Sequence, residues 1–301
     1  MIKPAIKTTV NSGKILVSDG AWGTFLYQKG LQAGECPELW NLTHPEVVKQ
    51  IAQSYINAGA DIIETNSFGG TSFKLEHYGL AHKVSEINEA AARISRKAAG
   101  NERWVIGSVG STGKMLCIGD VKEEELYEAF KTQVIALENG GADAVCIETM
   151  SDIEEAIQAI RAAKNHTQLE VICTFTFDSI GENEYRTMMG ISPAEAAIAC
   201  AKEGADIIGT NCGNGLKNMI NIVKQMSQAV PYIPILVHAN AGLPEIRNGE
   251  TVYPETPEQM KELIPRIVEA GANIIGGCCG TTPAHIAAIK EAVEKLSGKS
   301  F

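Results

Sequence analysis

Apolar residues in this 301-residue chain collect in eight short, unbroken runs, at positions 15–20, 61–68, 104–110, 143–150, 170–177, 206–213, 235–242 and 273–280. The runs are continuous rather than alternating, as expected of parallel strands covered on both faces. Amphipathic segments separate them and carry helix-start signals. Thr43 and Pro45 open one that closes near Gly59, and Ser151-Asp-Ile-Glu154 reads as a capping box. Ser192-Pro193 and Thr282-Pro283 place proline at the first helical position. Four runs share a lead-in, Gly-Ala-Asp or Gly-Ala-Asn, whose glycines fall at 59, 141, 204 and 271, spaced 82, 63 and 67 residues apart. Each interval holds one further run, so the repeating unit is one strand and one helix, about 30 to 40 residues long. Eight such units fit a (β/α)8 TIM barrel in a single domain, residues 1–301 with a core of about 15–295. An open doubly wound sheet has the same period and stays the alternative.

Two connections are longer than the others, 22–41 after the first strand and 178–191 after the fifth. Both follow strand carboxyl ends, the barrel face on which sites are assembled, so they are expected to form walls or lids. Composition narrows the partners. Thirty-six acidic against 26 basic residues leave a net charge of −10 with no basic cluster, which excludes nucleic acid as an expected partner. The first dozen residues interleave lysine and threonine and do not resemble a signal peptide. No run approaches the ~18 apolar residues of a membrane span, so no membrane association is expected. Eight cysteines without a secretory signal point to reduced thiols and a cytoplasmic location.

Three of those cysteines stand apart. Cys212 closes the run Asp206-Ile-Ile-Gly-Thr-Asn-Cys-Gly213, and Cys278 and Cys279 close Asn273-Ile-Ile-Gly-Gly-Cys-Cys-Gly280. In a barrel they end strands six and eight on one face, with a single strand between, placed to share a metal ion. Neighbours in a strand point to opposite faces, so both vicinal sulfurs turn the same way only if Gly276, Gly277 and Gly280 supply unusual backbone. Three thiolates leave tetrahedral zinc one position short, as catalytic sites do. Such a sulfur-rich site generates hydroxide poorly and suits the capture of a fourth thiol, making thiol alkylation the expected chemistry. A strained redox pair at Cys278–Cys279 is the other reading. Cys36, Cys117, Cys146, Cys173 and Cys200 read as ordinary core thiols.

The segment Gly276-Gly-Cys-Cys-Gly-Thr-Thr-Pro-Ala-His285, with Asn211-Cys212, resembles the zinc-binding signature of the homocysteine S-methyltransferase family. Asp19-Gly-Ala-Trp-Gly-Thr24, Cys36-Pro-Glu-Leu-Trp-Asn-Leu42, Ala58-Gly-Ala-Asp-Ile-Ile-Glu-Thr-Asn66 and Glu148-Thr-Met-Ser-Asp152 resemble the same family in order. The resemblance runs from Ile15 to Lys295 and is greatest to the homocysteine-binding barrels of cobalamin-dependent methionine synthases. It implies that Cys212, Cys278 and Cys279 hold Zn2+ and that the sulfur of homocysteine takes the fourth position. Asp19 and Glu148 would surround the amino acid's ammonium group, with Gly20 and Ala21 offering backbone donors to its carboxylate. One departure is Gly110-Ser-Thr-Gly113, where relatives commonly have proline in place of serine.

The implied reaction is methyl transfer to the zinc-bound homocysteine thiolate, giving methionine. The chain holds one barrel, so methylcobalamin or another methylcorrinoid would arrive on a separate protein. Betaine, S-methylmethionine or another small onium donor is the alternative, for which Trp22, Phe25, Tyr27 and Trp40 offer material for an aromatic cage. A zinc-binding barrel without turnover, or a hydrolase or lyase using zinc-bound water, would be a different class. Asn240, ending strand seven, is a further candidate for orienting substrate, Thr65 and Asn66 line the pocket or cap a helix, and His238 reads as a satisfied core histidine.

Overall fold

All eight apolar runs form strands of one parallel sheet in the computed structural model, which describes residues 3–247 and 249–298; the extreme ends of the expected 1–301 domain lie outside them. The strands are β1 (Leu16–Val17), β2 (Ile62–Glu64), β3 (Trp104–Gly110), β4 (Ala144–Met150), β5 (Glu170–Phe175), β6 (Ile207–Gly215), β7 (Ile235–Asn240) and β8 (Ala272–Gly277). They are ordered β1-β8-β7-β6-β5-β4-β3-β2. The ends of that order meet: Ser18 bridges Ile62, and the Asp61 amide donates to the Val17 carbonyl at 2.7 Å. The sheet is therefore a closed TIM barrel and not an open doubly wound one.

The repeated Gly-Ala-Asp/Asn is the barrel's fastening at the amino-terminal ends of its strands. All four glycines have left-handed φ, from +89° to +121°, where a residue with a side chain is strained. The acid or amide that follows opens each even-numbered strand and accepts an amide from the odd-numbered strand before it. Asp61 takes Val17 N–H at 3.0 Å, Asp143 takes Val105 at 2.7 Å, Asp206 takes Val171 at 2.9 Å and Asn273 takes Ile235 at 2.9 Å. Lys290, Lys3 with Arg96, and Lys164 neutralise the three carboxylates.

All eight strands contribute to one buried interior cluster, among them Leu16, Ile62, Ile106, Cys146, Ile172, Ile207, Leu236 and Ile274. Val17, Ile63, Val145, Val171, Ile208 and Ile275, one residue along, pack outward against the helices. A short helix absent from the sequence reading, Ile6–Asn11, plugs the lower end with Ile6 and Val10. Glu170 fixes its start by accepting the amides of Ile6 and, at 2.8 Å, Lys7.

Helix starts at Ser192 and Thr282 carry the expected cap and proline. Two others differ. Asp152, not Ser151, is the cap of helix Ile153–His166, accepting Glu154 N–H at 2.9 Å, and His44 takes the cap position before Pro45–Asn57. The long connection after β1 folds into short helices, Gly23–Gln28 and Trp40–Thr43, around a 3-10 turn; the one after β5 is a hairpin, Asp178–Gly181 against Glu184–Arg186. A second hairpin, Glu245–Arg247 with Glu250–Val252, follows β7. Cys36, Cys146, Cys173 and Cys200 are buried as expected, whereas Cys117 is exposed on the loop after β3.

Candidate thiol cluster and active-site pocket

Alternation along the strands carries the interior from apolar to polar. Two residues beyond the inward Ile62, Ile106, Cys146, Ile172 and Leu236 stand Glu64, Ser108, Glu148, Thr174 and His238. This upper layer floors a cavity of about 260 Å3 at the carboxyl ends of the strands, walled by Gly20, Ala21 and Trp22 on one side and by Cys212, Cys278 and Cys279 on another. One network ties Glu148 in place. Ser108 Oγ donates to its Oε1, and Asn211 Nδ2 donates to its Oε2 at 3.1 Å. Asn211 Oδ1 in turn accepts from Thr174 Oγ1 and the Thr149 amide, each at 2.8 Å.

The three sulfurs lie within 4.8 Å of one another, with Cys212 and Cys279 3.9 Å apart. Sulfurs tetrahedrally placed about 2.3 Å from zinc stand roughly 3.8 Å apart, so the set fits a zinc ion with little adjustment. Backbone irregularity makes this possible. Cys212 has φ +57°, rare for a residue with a side chain, where the β6–β7 register shifts between Asn211 and Gly215. Thr149 has φ +59° at the matching shift between β4 and β5. Bulges of this kind re-aim side chains beside active sites.

Cys278 and Cys279 lie just beyond β8, past Gly277 and before Gly280 at φ +80°. The Cys278 amide donates to Ala239 O at 2.7 Å, and Cys279 O accepts from Ala241 N–H at 3.0 Å. Thr281 Oγ1 locks the turn, donating to Cys278 O at 2.7 Å and accepting the Ala21 amide at 3.1 Å.

Burial dominates the electrostatics of the acids. It pushes Asp19 up to about 7 against hydrogen bonds from the Glu64 amide, the Trp22 indole and Ser18. It likewise lifts Glu148 to about 7; the bond from Ser108 opposes it, and the charges of Cys212 and Asp19 add to it. Within the thiol cluster, hydrogen bonds from Cys212 and Cys278 hold Cys279 down at about 3, burial opposing and Tyr253 assisting. The same bonding to Cys212 and Cys279 drives Cys278 well up.

The expected site residues converge unequally. Cys212, Cys278, Cys279, Gly20, Ala21 and Glu148 all line the cavity, as do Thr65 and Asn66. Asp19 is buried beside it with its carboxylate already engaged, Oδ2 accepting Trp22 Nε1 at 2.9 Å and the Glu64 amide at 2.8 Å. Asn240 is buried between the two residues that bond Cys278 and Cys279, its Oδ1 without a partner among the described residues. His238 is buried but not satisfied: its Nε2 has no partner among the described residues, and Nδ1 faces Glu64 Oε1 at 3.5 Å. Glu64 has no role in the sequence reading, and His238 is read there as a satisfied core histidine, although their inward phase, two residues beyond Ile62 and Leu236, marks both.

A barrel that gathers three thiols and buried carboxyls around one cavity at its strand ends has the site of an enzyme that handles a thiol, with three sulfurs that could hold a metal ion. The chain belongs to the homocysteine S-methyltransferase family, whose model matches residues 16–293 and whose reaction is methyl transfer to a thiol. It is 31% identical over 305 residues to a methionine synthase of Mycobacterium tuberculosis (strain ATCC 25618 / H37Rv) and 32% identical over 303 residues to one of Mycobacterium leprae (strain TN). These alignments take in 95% and 94% of this chain, which spans about a quarter (25%) of each relative's length. The fold is also that of the metallated homocysteine methyltransferase MmuM from Escherichia coli, at a TM-score of 0.77 and 24% identity, covering 94% of this chain and 98% of that one.

Proposed function

We propose that the chain binds homocysteine with its sulfur at a zinc ion held by Cys212, Cys278 and Cys279, and that this sulfur accepts a methyl group to give methionine. The observation that carries the reading is the position of the three sulfurs, one tetrahedral face's width apart, on the wall of a cavity floored by buried carboxyls. When bound, zinc supplies a Lewis acid that lowers the pKa of the substrate thiol. The protein's part is placement. Glu148, held by Ser108 and Asn211, faces the ammonium group, and Gly20 offers its amide to the carboxylate. Ala21 positions that loop through Thr281, Asp19 supports the floor through the Glu64 amide, and Asn240, whose Oδ1 has no partner among the described residues, is left to orient the substrate. Alignment of sulfur with the donor provides the rate gain of an ordered displacement.

A methylcorrinoid is the donor we favour. Of the four aromatic residues available for an onium cage, only Trp22 lines the cavity. Phe25 packs edge-on against Tyr55, Trp40 lies against His44, and Tyr27 is exposed. Phe68 is a second aromatic residue of the cavity lining, so a small cation would meet two aromatic side chains, Trp22 and Phe68, rather than a complete box. The free state of all eight cysteines fits a reducing, cytoplasmic location, and no described helix is long and apolar enough to cross a membrane. The test is a donor screen with zinc-loaded protein and homocysteine, scored by methionine formed. Methylcobalamin, free or on a corrinoid protein, is expected to support turnover. Product from betaine or S-methylmethionine alone would replace the donor, and no product from any donor would leave a binding barrel without chemistry.

The raised carboxyl pKa values set the pH dependence. A carboxyl with a folded pKa near 7 must lose its proton before it can pair with an ammonium group, so homocysteine affinity should rise with pH. The rise should exceed about tenfold per unit while carboxyl protons and the thiol proton leave together, and should fall toward about tenfold once the carboxyls are ionised. Calorimetry across pH 5.5–8.5 measures this, and Glu148→Gln should make the rise near pH 7 shallower while leaving zinc content unchanged. Stability runs the other way. Asp19 and Glu148 hold protons that the unfolded chain releases above about pH 4, so the unliganded protein should lose stability as pH rises from about 4 through 7. Homocysteine should consequently raise the melting temperature more at pH 8 than at pH 6.

A further inference from the structure

Glu64 is the carboxyl of the cavity floor whose needs the described residues leave unmet. It ends β2 on the inward phase, is 7% exposed and lines the cavity. The neighbouring carboxyls are supplied: Glu148 receives Ser108 and Asn211, and Asp19 receives Trp22, Ser18 and the Glu64 amide. Glu64 Oε1 is buried and receives no hydrogen bond among the described residues. The side chain within ion-pair reach is His238, whose pKa burial depresses to about 4, so it is no cation at neutral pH. Burial, then the charges of Glu148 and Asp19, push Glu64 well above the usual carboxyl range. A buried carboxyl without donors is costly, and in a native fold such a group calls for a functional explanation, of which a ligand in the cavity is one. A ligand that suits it brings a positive charge and several N–H donors into a cavity that already presents Glu148.

We infer that Glu64 is a substrate-binding residue that takes the α-ammonium group of the amino-acid substrate together with Glu148, with His238 as the positioning residue beside its carboxylate. The inference rests on the reading of homocysteine as substrate and adds the group that distinguishes it from a simple thiol. An ammonium carries three donors, two of which the carboxylates of Glu64 and Glu148 can accept. Asp19 then acts indirectly, its bond to the Glu64 amide fixing where β2 ends. Selectivity for an amino-acid thiol over a plain carboxylic-acid thiol would follow from this pair.

The experiment compares zinc-loaded wild type with Glu64→Gln, using homocysteine and 4-mercaptobutanoate, the same thiol acid without the amine, by calorimetry. Zinc content and the binding of 4-mercaptobutanoate serve as controls for folding. Wild type should prefer homocysteine. Glu64→Gln should weaken homocysteine about ten- to a hundredfold, the loss expected of a hydrogen bond between charged groups. It should leave 4-mercaptobutanoate unchanged or bound more tightly. Glu64→Asp, which keeps the charge on a shorter arm, should fall between. Equal weakening of both thiols, or unchanged homocysteine affinity, would overturn the assignment. Failure of the unmutated protein to bind homocysteine would overturn the proposed function itself, and this residue role with it.

Discussion

Replacing Cys212 with alanine should empty the metal site while leaving the barrel folded. Cys212 contributes one of three sulfurs that lie within 4.8 Å of each other, and without it only the vicinal pair remains. Loss of an outer-shell partner typically costs 10- to 100-fold in metal affinity, and loss of a ligand costs more. Zinc retained after dialysis should drop from about one equivalent to near zero, and methionine formation by more than about a hundredfold. Cys278→Ala and Cys279→Ala should behave alike. The barrel should survive in each case, because its fastening lies at the opposite ends of the strands, where Asp61, Asp143, Asp206 and Asn273 join neighbouring strands. For Cys212 the left-handed backbone is strained equally with either side chain. Metal analysis with a thermal melt separates the two effects. Normal zinc and normal turnover in all three variants would refute the site.

The barrel was legible because each strand is an uninterrupted apolar run, and because the recurring Gly-Ala-Asp/Asn is a physical device. The glycine ends a helix in a left-handed turn, and the acid then stitches the next strand to its neighbour. The three cysteines were legible for a related reason, since strand ends on one barrel face lie close in space however far apart they are in sequence. Single-residue geometry was not legible. Nothing in Asn211-Cys-Gly213 announces a left-handed cysteine; that follows from the register shift between β6 and β7. The plug helix Ile6–Asn11 is too short for a periodic signal, and its partner Glu170 lies 164 residues from Ile6. His238 was misread as satisfied because in a continuous apolar run each position resembles a core position. The phase of alternation corrects this, since His238 lies two residues beyond the inward Leu236, level with Glu64 and Glu148.

Gly280→Ala should separate the metal site from the rest of the fold. Its φ of +80° makes any side chain costly by roughly 1–2 kcal/mol. A Cβ there would also stand 2.2 Å from Cγ of Tyr253, the residue that hydrogen-bonds Cys279. The Tyr253 ring or the cysteine turn must therefore move, and Cys279 with it. Gly204→Ala is the matched control: its φ is +89°, but a Cβ there meets nothing within 4 Å. Both variants should lower thermal stability, Gly280→Ala at least as much as Gly204→Ala because of the added contact with Tyr253. Only Gly280→Ala should weaken zinc, by at least about ten- to a hundredfold, the range for disturbing a ligand's supporting contacts. Competition with a chelating dye reads the affinity. Equal zinc affinity in the two variants would mean that the vicinal cysteines do not depend on this glycine to face one ion.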